Sequence, residues 1–222
     1  MMRLGGAFFL TLLAATAARG QAPDMSCSNG GFPAETAIGL AKVIGADRLV
    51  FLKDTDGCPS EAASCRQRAY VVSGDELLTG RSAGGYVCAF FPNRGGGSAG
   101  WVQRTRLQAL PVEGSPPLSA WAGHWSNGDD TINLTVEGGA LVADGNAYWP
   151  SAHPSLSQFP GGPNLGDLSG TARPSGARLV FADPDPQACA ATLTLVGGLV
   201  VVSDNGACGG QNVSFSGVYS RR

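Results

Sequence analysis

Six cysteines, Cys27, Cys58, Cys65, Cys88, Cys189 and Cys208, constrain this chain more than any other feature. All lie beyond an N-terminal stretch that opens Met1-Met2-Arg3, runs apolar from Leu4 to Ala15 and ends in the small residues Thr16-Ala17-Ala18. A basic start, an apolar run and small residues form the pattern of a secretory signal peptide. An apolar run of about a dozen residues is too short for a spanning helix, which needs roughly 20. Residues 1–22 are therefore expected to be a cleaved signal peptide, and the mature chain to be periplasmic or secreted, with no membrane attachment after cleavage. An even number of cysteines bound for an oxidising compartment predicts disulfides rather than free thiols.

Which cysteines pair depends on where the chain divides. Between Leu110 and Trp121 the sequence reads PVEGSPPLSA, and proline neither donates to a sheet ladder nor lets its neighbour turn helical. Residues 111–120 read as a linker between one domain at 27–110 and a second at 121–222. Cys189 and Cys208 are then the only cysteines in the second half, placed almost symmetrically about Gly197-Gly198 in the hairpin ATLTLVGGLVVVS. Cys58 and Cys65 bracket a short loop, which leaves Cys27 with Cys88. A bond closing a loop of about 60 residues contributes roughly 3 to 4.5 kcal/mol by restricting the unfolded chain.

The halves also differ in charge. Residues 27–112 carry nine Lys/Arg against seven Asp/Glu, a net +2, whereas residues 113–222 carry four against nine, a net −5. Neither half has a basic patch interleaved with aromatics, so nucleic acid is not an expected partner.

Glycine is abundant, at 33 residues, and charged residues make up only 14%. With short apolar runs between turn residues, this favours short strands over long helices and predicts an all-β fold. In the first half, 47–53, 69–72, 76–79, 85–91 and 100–102 read as strands, with turns at Gly74-Asp75, Gly84-Gly85 and Gly95-Gly96-Gly97. Residues 34–46 suggest one weak helix, because Ile38, Ala41 and Ile44 recur at helical spacing. In the second half the expected strands are 131–136, 140–143, 146–149, 168–172, 178–181, 191–196, 199–203 and 213–215. These strands, with turns such as Gly138-Gly139 and Asp204-Asn205-Gly206 between them, predict a small antiparallel barrel of eight or nine strands. Full closure with first and last strands meeting would remove exposed edges.

The order strand, Gly74-Asp75 turn, strand, an aromatic strand with Tyr86, then Gly100-Trp101-Val102 and Leu107 resembles a bacterial SH3-like (SH3b) domain. That resemblance covers about 47–110 and implies an SH3-like barrel whose aromatics, Tyr86 and Trp101, are candidate binding residues; the cysteine-bracketed loop departs from the pattern. In the second half, an opening Gly123-His124-Trp125 and a closing Gly217-Val218-Tyr219 are similar to small up-and-down barrels, including periplasmic lysozyme inhibitors. The stretch from Asp204 to Phe215 (DNGACGGQNVSF) resembles uncharacterised proteobacterial secreted proteins.

Catalytic chemistry finds little support. Gly80-Arg81-Ser82-Ala83-Gly84 and Gly96-Gly97-Ser98-Ala99-Gly100 match the G-x-S-x-G pattern of serine hydrolases, but that elbow works at a strand-to-helix turn. Both lie between expected strands, and the two histidines, His124 and His153, fall in the other half. The cysteines lack C-x-x-C spacing and are expected to be oxidised, so no zinc framework arises. Asp129-Asp130 and Asp183-Pro184-Asp185 offer too few oxygens for calcium and read as turn residues. No catalytic residue, metal or cofactor is assigned. Tyr148, Trp149 and His153, beside one another at one end of the second domain, form a candidate mouth for a ligand or a partner's side chain.

The leading expectation is an exported, non-catalytic cell-envelope binding protein whose partner is a cell-wall component or a secreted protein, one version being lysozyme-inhibitor-like. A small envelope hydrolase and a barrel carrying a small apolar ligand are the alternatives.

Overall fold

A computed structural model describes residues 26–93, 95–185 and 187–222. The expected signal peptide, 1–22, lies outside them. The chain is all-β, with one antiparallel sheet of seven strands and another of eight. They are joined by residues 111–117 and a single helical turn at Leu118–Trp121. Among the described residues no helix is long and apolar enough to cross a membrane.

The first sheet comprises β1 (Gly39–Val43), β2 (Leu49–Leu52), β3 (Arg66–Val71), β4 (Glu76–Ala83), β5 (Tyr86–Phe91), β6 (Ser98–Gln103) and β7 (Leu107–Leu110), in the order β3-β2-β6-β5-β4-β1-β7. Val43, Leu49, Phe51, Val71, Leu77 and Val102 form its core. The weak helix expected over residues 34–46 is absent. Phe32–Ala34 is a short 3-10 turn, and Gly39–Val43 is a strand paired with β4 on one side and β7 on the other. The segment also carries a period of two, with Ala41 and Val43 buried and Lys42 exposed between them. Two flanking ladders satisfy its backbone, and that tertiary pairing outweighs a weak helical pattern already broken by Gly39 and Gly45.

The second sheet comprises β8 (Gly123–Asn127), β9 (Asp130–Glu137), β10 (Ala140–Trp149), β11 (Asn164–Ala172), β12 (Arg178–Ala182), β13 (Ala190–Val196), β14 (Leu199–Asp204) and β15 (Gly217–Arg221). First and last strands pair, Ser126 opposite Ser220 and Trp125 opposite Arg221. Three expectations need correction. Residues 140–143 and 146–149 are one strand that runs on through Asp144-Gly145 without turning; a Cβ on Gly145 would lie 3.1 Å from both the Phe215 ring and the Thr131 carbonyl, so glycine serves close approach there. Residues 213–215 are not a strand. They belong to a loop gathered by the Asp204 carboxylate, which accepts hydrogen bonds from the amides of Gly206 and Phe215 and the hydroxyls of Ser214 and Ser216.

The third correction concerns closure. The sheet runs β11-β10-β9-β8-β15-β14-β13-β12, so β11 and β12 are its two ends, and the barrel is nearly but not fully closed. At one end of this seam the connection 173–177 folds tightly, Ser175 and Arg178 exchanging backbone hydrogen bonds. At the other, Cys208–Gly210 occupies the free edge of β11: the Asp167 amide donates to the Cys208 carbonyl and the Gly210 amide to the Leu165 carbonyl, each at 3.0 Å.

The interior of this barrel is filled by side chains. Trp125, Ile132, Leu141, Leu168, Val200, Phe215 and Tyr219 are all at most 1% exposed. The Trp125 indole N–H donates to the Trp121 carbonyl and the Tyr219 hydroxyl to the Phe215 carbonyl. Burial, then the Asp130 and Asp204 charges, raise the Tyr219 phenol pKa, which keeps it a donor. The Arg221 guanidinium lies 4.6 Å above the Trp125 ring where β15 meets β8.

The three disulfides are Cys27–Cys88, Cys58–Cys65 and Cys189–Cys208, as the spacing predicts. The first belongs to a cluster shared by both sheets, in which Phe32, Leu78, Phe90 and Trp101 pack with Val196 and Val201 of the second. Phe32 is fully buried, with its ring 5.5 Å from Phe90, and its turn touches β5, β14 and β15. At Gly197, a Cβ would lie 3.0 Å from Leu40 of β1. The charge split between the halves therefore coexists with a common apolar contact.

Candidate functional site

The aromatic residues singled out in the sequence fall in two places. Tyr86 and Trp101 lie in the first sheet, on the adjacent strands β5 and β6. Tyr86 is half-buried, whereas Trp101 is 3% exposed, with the Arg81 guanidinium 5.2 Å above its ring. Arg81 also pairs with the buried carboxylate of Glu35 and lies 3.6 Å from Asp54. Trp101 thus has packing neighbours on all sides and offers no open face.

Tyr148 and Trp149 end β10, where successive side chains point to opposite faces, and His153 follows on the exposed loop before β11; no contact among the described residues joins the three side chains into one mouth. Two carboxylates from the β8–β9 turn pin that loop: Asp130 accepts from the Tyr148 amide and Asp129 from the Ala152 amide, each at 2.9 Å. Trp149 stands edge-on to Phe159 at 5.5 Å. Asp129-Asp130 is therefore a pair of backbone acceptors. Burial pushes the Asp130 carboxyl up to about 6; the Tyr148 hydrogen bond opposes this and the Asp129 charge adds to it.

A carboxyl whose pKa is higher folded than unfolded binds its proton more tightly in the folded state. Its stabilising contribution is full below about pH 4 and is lost as pH rises through about 6. Asp130→Asn removes that loss while keeping an acceptor for Tyr148. The variant is expected to match wild type at pH 4 and to exceed it by about 1 kcal/mol at pH 7.5, a figure discounted for partial exposure. Thermal melts across that range check this; parallel curves for the two proteins would rule Asp130 out.

The two hydrolase-like serines lie in strands, Ser82 in β4 and Ser98 in β6, where the Asn93 amide nitrogen donates to the Ser98 hydroxyl. Neither stands at a strand-to-helix turn, and both histidines are in the second half. Among the described residues no group of three or more His, Cys, Asp or Glu side chains is placed to hold a metal ion. Asp183 and Asp185 are spent locally, accepting from the amides of Asp185 and Gln187.

The feature sequence reasoning missed is the β11–β12 seam. An open cleft of about 330 Å³ runs along it, lined by Asp167, Ser169, Gly170 and Thr171 from one strand and Val180, Phe181, Ala182 and Asp183 from the other, with Ala188 and Cys189 at one end. Gly170 and Phe181 approach each other beneath it, a Cβ on Gly170 lying 3.4 Å from the Phe181 ring. Its rim carries two carboxylates, Asp167 and Asp183. No local pattern marks it, because β11 and β12 each read as an ordinary strand and the gap exists only where the sheet fails to close.

Comparison of the chain with protein-family models, with curated proteins and with solved structures finds no match.

Proposed function

We propose that this is an exported, non-catalytic binding protein of the cell envelope whose partner is a cationic secreted protein. The observation that carries the reading is where the eight-stranded barrel is open. Its centre is filled by Trp125, Phe215 and Tyr219, which leaves no room there for a carried ligand. It opens instead through its wall, at a cleft rimmed by Asp167 and Asp183 in the half that carries a net charge of −5. Such a surface attracts cations and speeds their encounter. The Cys189–Cys208 disulfide supports the reading, since Cys189 lines the cleft and the bond restrains that end of it at little entropic cost on binding. The resemblance of the first half to bacterial SH3-like domains is compatible with attachment to the cell wall beside the partner.

Immobilised lysozyme, as a cationic secreted protein, is expected to retain the mature chain at low salt. It should release the chain by about 0.3 M salt, where exposed charges more than several ångströms apart are screened. Retention by purified murein sacculi alone would transfer the partner from protein to cell-wall polymer. Retention by neither overturns the reading.

A further inference from the structure

We infer that the β11–β12 seam is a strand-acceptor site, taking up an extended segment of a partner protein in which basic and apolar residues alternate. The inference rests on the proposed binding role and names how the partner is held.

The backbone supplies the first argument. Every residue of β11 from Asn164 to Ala172 is matched to β10. The backbone groups of Leu165 and Asp167 point the other way, to Gly210 and Cys208. Alternation along a strand puts Ser169 and Thr171 in the same outward row. On β12, Arg178 bonds to Ser175 across the seam, so Val180 and Ala182 face it too. Among the described residues no backbone hydrogen bond joins Ser169 or Thr171 to Val180 or Ala182. Each edge thus carries donors and acceptors outside any ladder between the two strands, the condition under which a sheet edge accepts an added strand.

The molecule already does this at one end of the same edge. Cys208–Gly210 lies antiparallel on β11, bridged at Gly166 and Gly209, and is held there by the Cys189–Cys208 bond. The open cleft continues from the point where that segment leaves the edge.

The side chains define what fits. In an inserted strand successive side chains point to opposite faces. Those facing inward would meet Gly170 and Phe181, which suits small apolar groups. Those facing outward would pass Asp167, Ser169 and Asp183, which suits lysine or arginine. The two arginines of the β11–β12 connection and β12 are turned to other partners, Arg173 donating to the carbonyls of Gly138 and Gly139 and Arg178 to the Thr192 hydroxyl. The free edge accommodates roughly three to four guest residues at about 3.3 Å each.

The test uses the full mature chain and a capped octapeptide of alternating lysine and valine, with titration calorimetry and site-resolved amide exchange. Binding should slow exchange at the amides of Ser169, Thr171, Val180 and Ala182. N-methylation of alternate peptide residues keeps charge and composition but removes the donors toward one edge; it should weaken binding at least about tenfold. Asp167→Lys with Asp183→Lys should weaken the lysine peptide by a similar factor and favour a glutamate-valine peptide. The milder pair Asp167→Asn and Asp183→Asn, which keeps acceptors in the Asp183 turn, should act in the same direction if the reversal misfolds. Protection confined to other residues, or indifference to N-methylation, overturns strand insertion. No peptide binding while lysozyme is still retained overturns this inference and leaves the binding role standing; loss of both overturns both.

Discussion

Phe32→Ala is expected to lower stability by about 3 to 5 kcal/mol, the usual range for deleting a buried aromatic ring. For a chain of this length that is a fall in melting temperature of roughly 10 °C. The ring is fully buried and packs on Phe90 of the first sheet, while its turn touches β14 and β15 of the second. The cavity would therefore open between the sheets. The nearby Cys27–Cys88 bond keeps the N-terminal segment covalently attached, so the loss falls on packing between the two halves. Calorimetry should show one cooperative transition in the wild type and two resolved ones in the variant. A single transition at an unchanged temperature would mean that the sheets do not depend on this residue for coupling.

Asp204→Ala should be nearly as damaging, at about 3 to 4 kcal/mol. Its carboxylate accepts from the Gly206 and Phe215 amides and from the Ser214 and Ser216 hydroxyls. Hydrogen bonds to a charged acceptor contribute about 1.5 to 3 kcal/mol each, less than additively when they share one group. Those bonds gather the loop that places Phe215 in the barrel core and carries Cys208–Gly210 to the edge of β11. The expected signature is local as well as global. Amide exchange at Asp167 and Gly210, whose bonds tie that segment to β11, should accelerate more than exchange at the β9–β10 ladder. Asp204→Asn keeps two acceptor lone pairs and should lose about half as much. Equal acceleration everywhere would place the role of Asp204 in overall stability alone.

The loop illustrates how residues can be prominent in a sequence while their purpose stays hidden. The DNGACGGQNVSF stretch is conspicuous, and its Val213 to Phe215 reads as a strand by residue type. In the fold its backbone is held by the Asp204 and Asn205 side chains and by the edge of β11 rather than by a ladder of its own, and Asn212 adopts a positive φ of 64°, an uncommon conformation that asparagine tolerates better than most residues. Nothing local signals that Asp204 would turn back to collect it. The candidate aromatics show the same limit: Tyr148, Trp149 and His153 are close in sequence without a side-chain contact joining them, and Trp101, conspicuous in its strand, is enclosed at 3% exposure.

What the sequence determined by itself were properties carried by short stretches and by counting. Period-two runs between glycine turns specify strands, because side chains on a strand alternate faces whatever lies beside it. Two glycines at positive φ centre the β13–β14 hairpin, Cys189 and Cys208 lie almost symmetrically about them in sequence, and so that disulfide was readable from spacing. Tertiary structure alone decided that residues 39–43 form a strand between two others, that the halves share a core around Phe32, and that the eight-stranded barrel stops short of closing between β11 and β12. Each of these depends on which surfaces meet across long separations in the chain. An edge left unpaired is a property of the whole sheet, and no single strand records it.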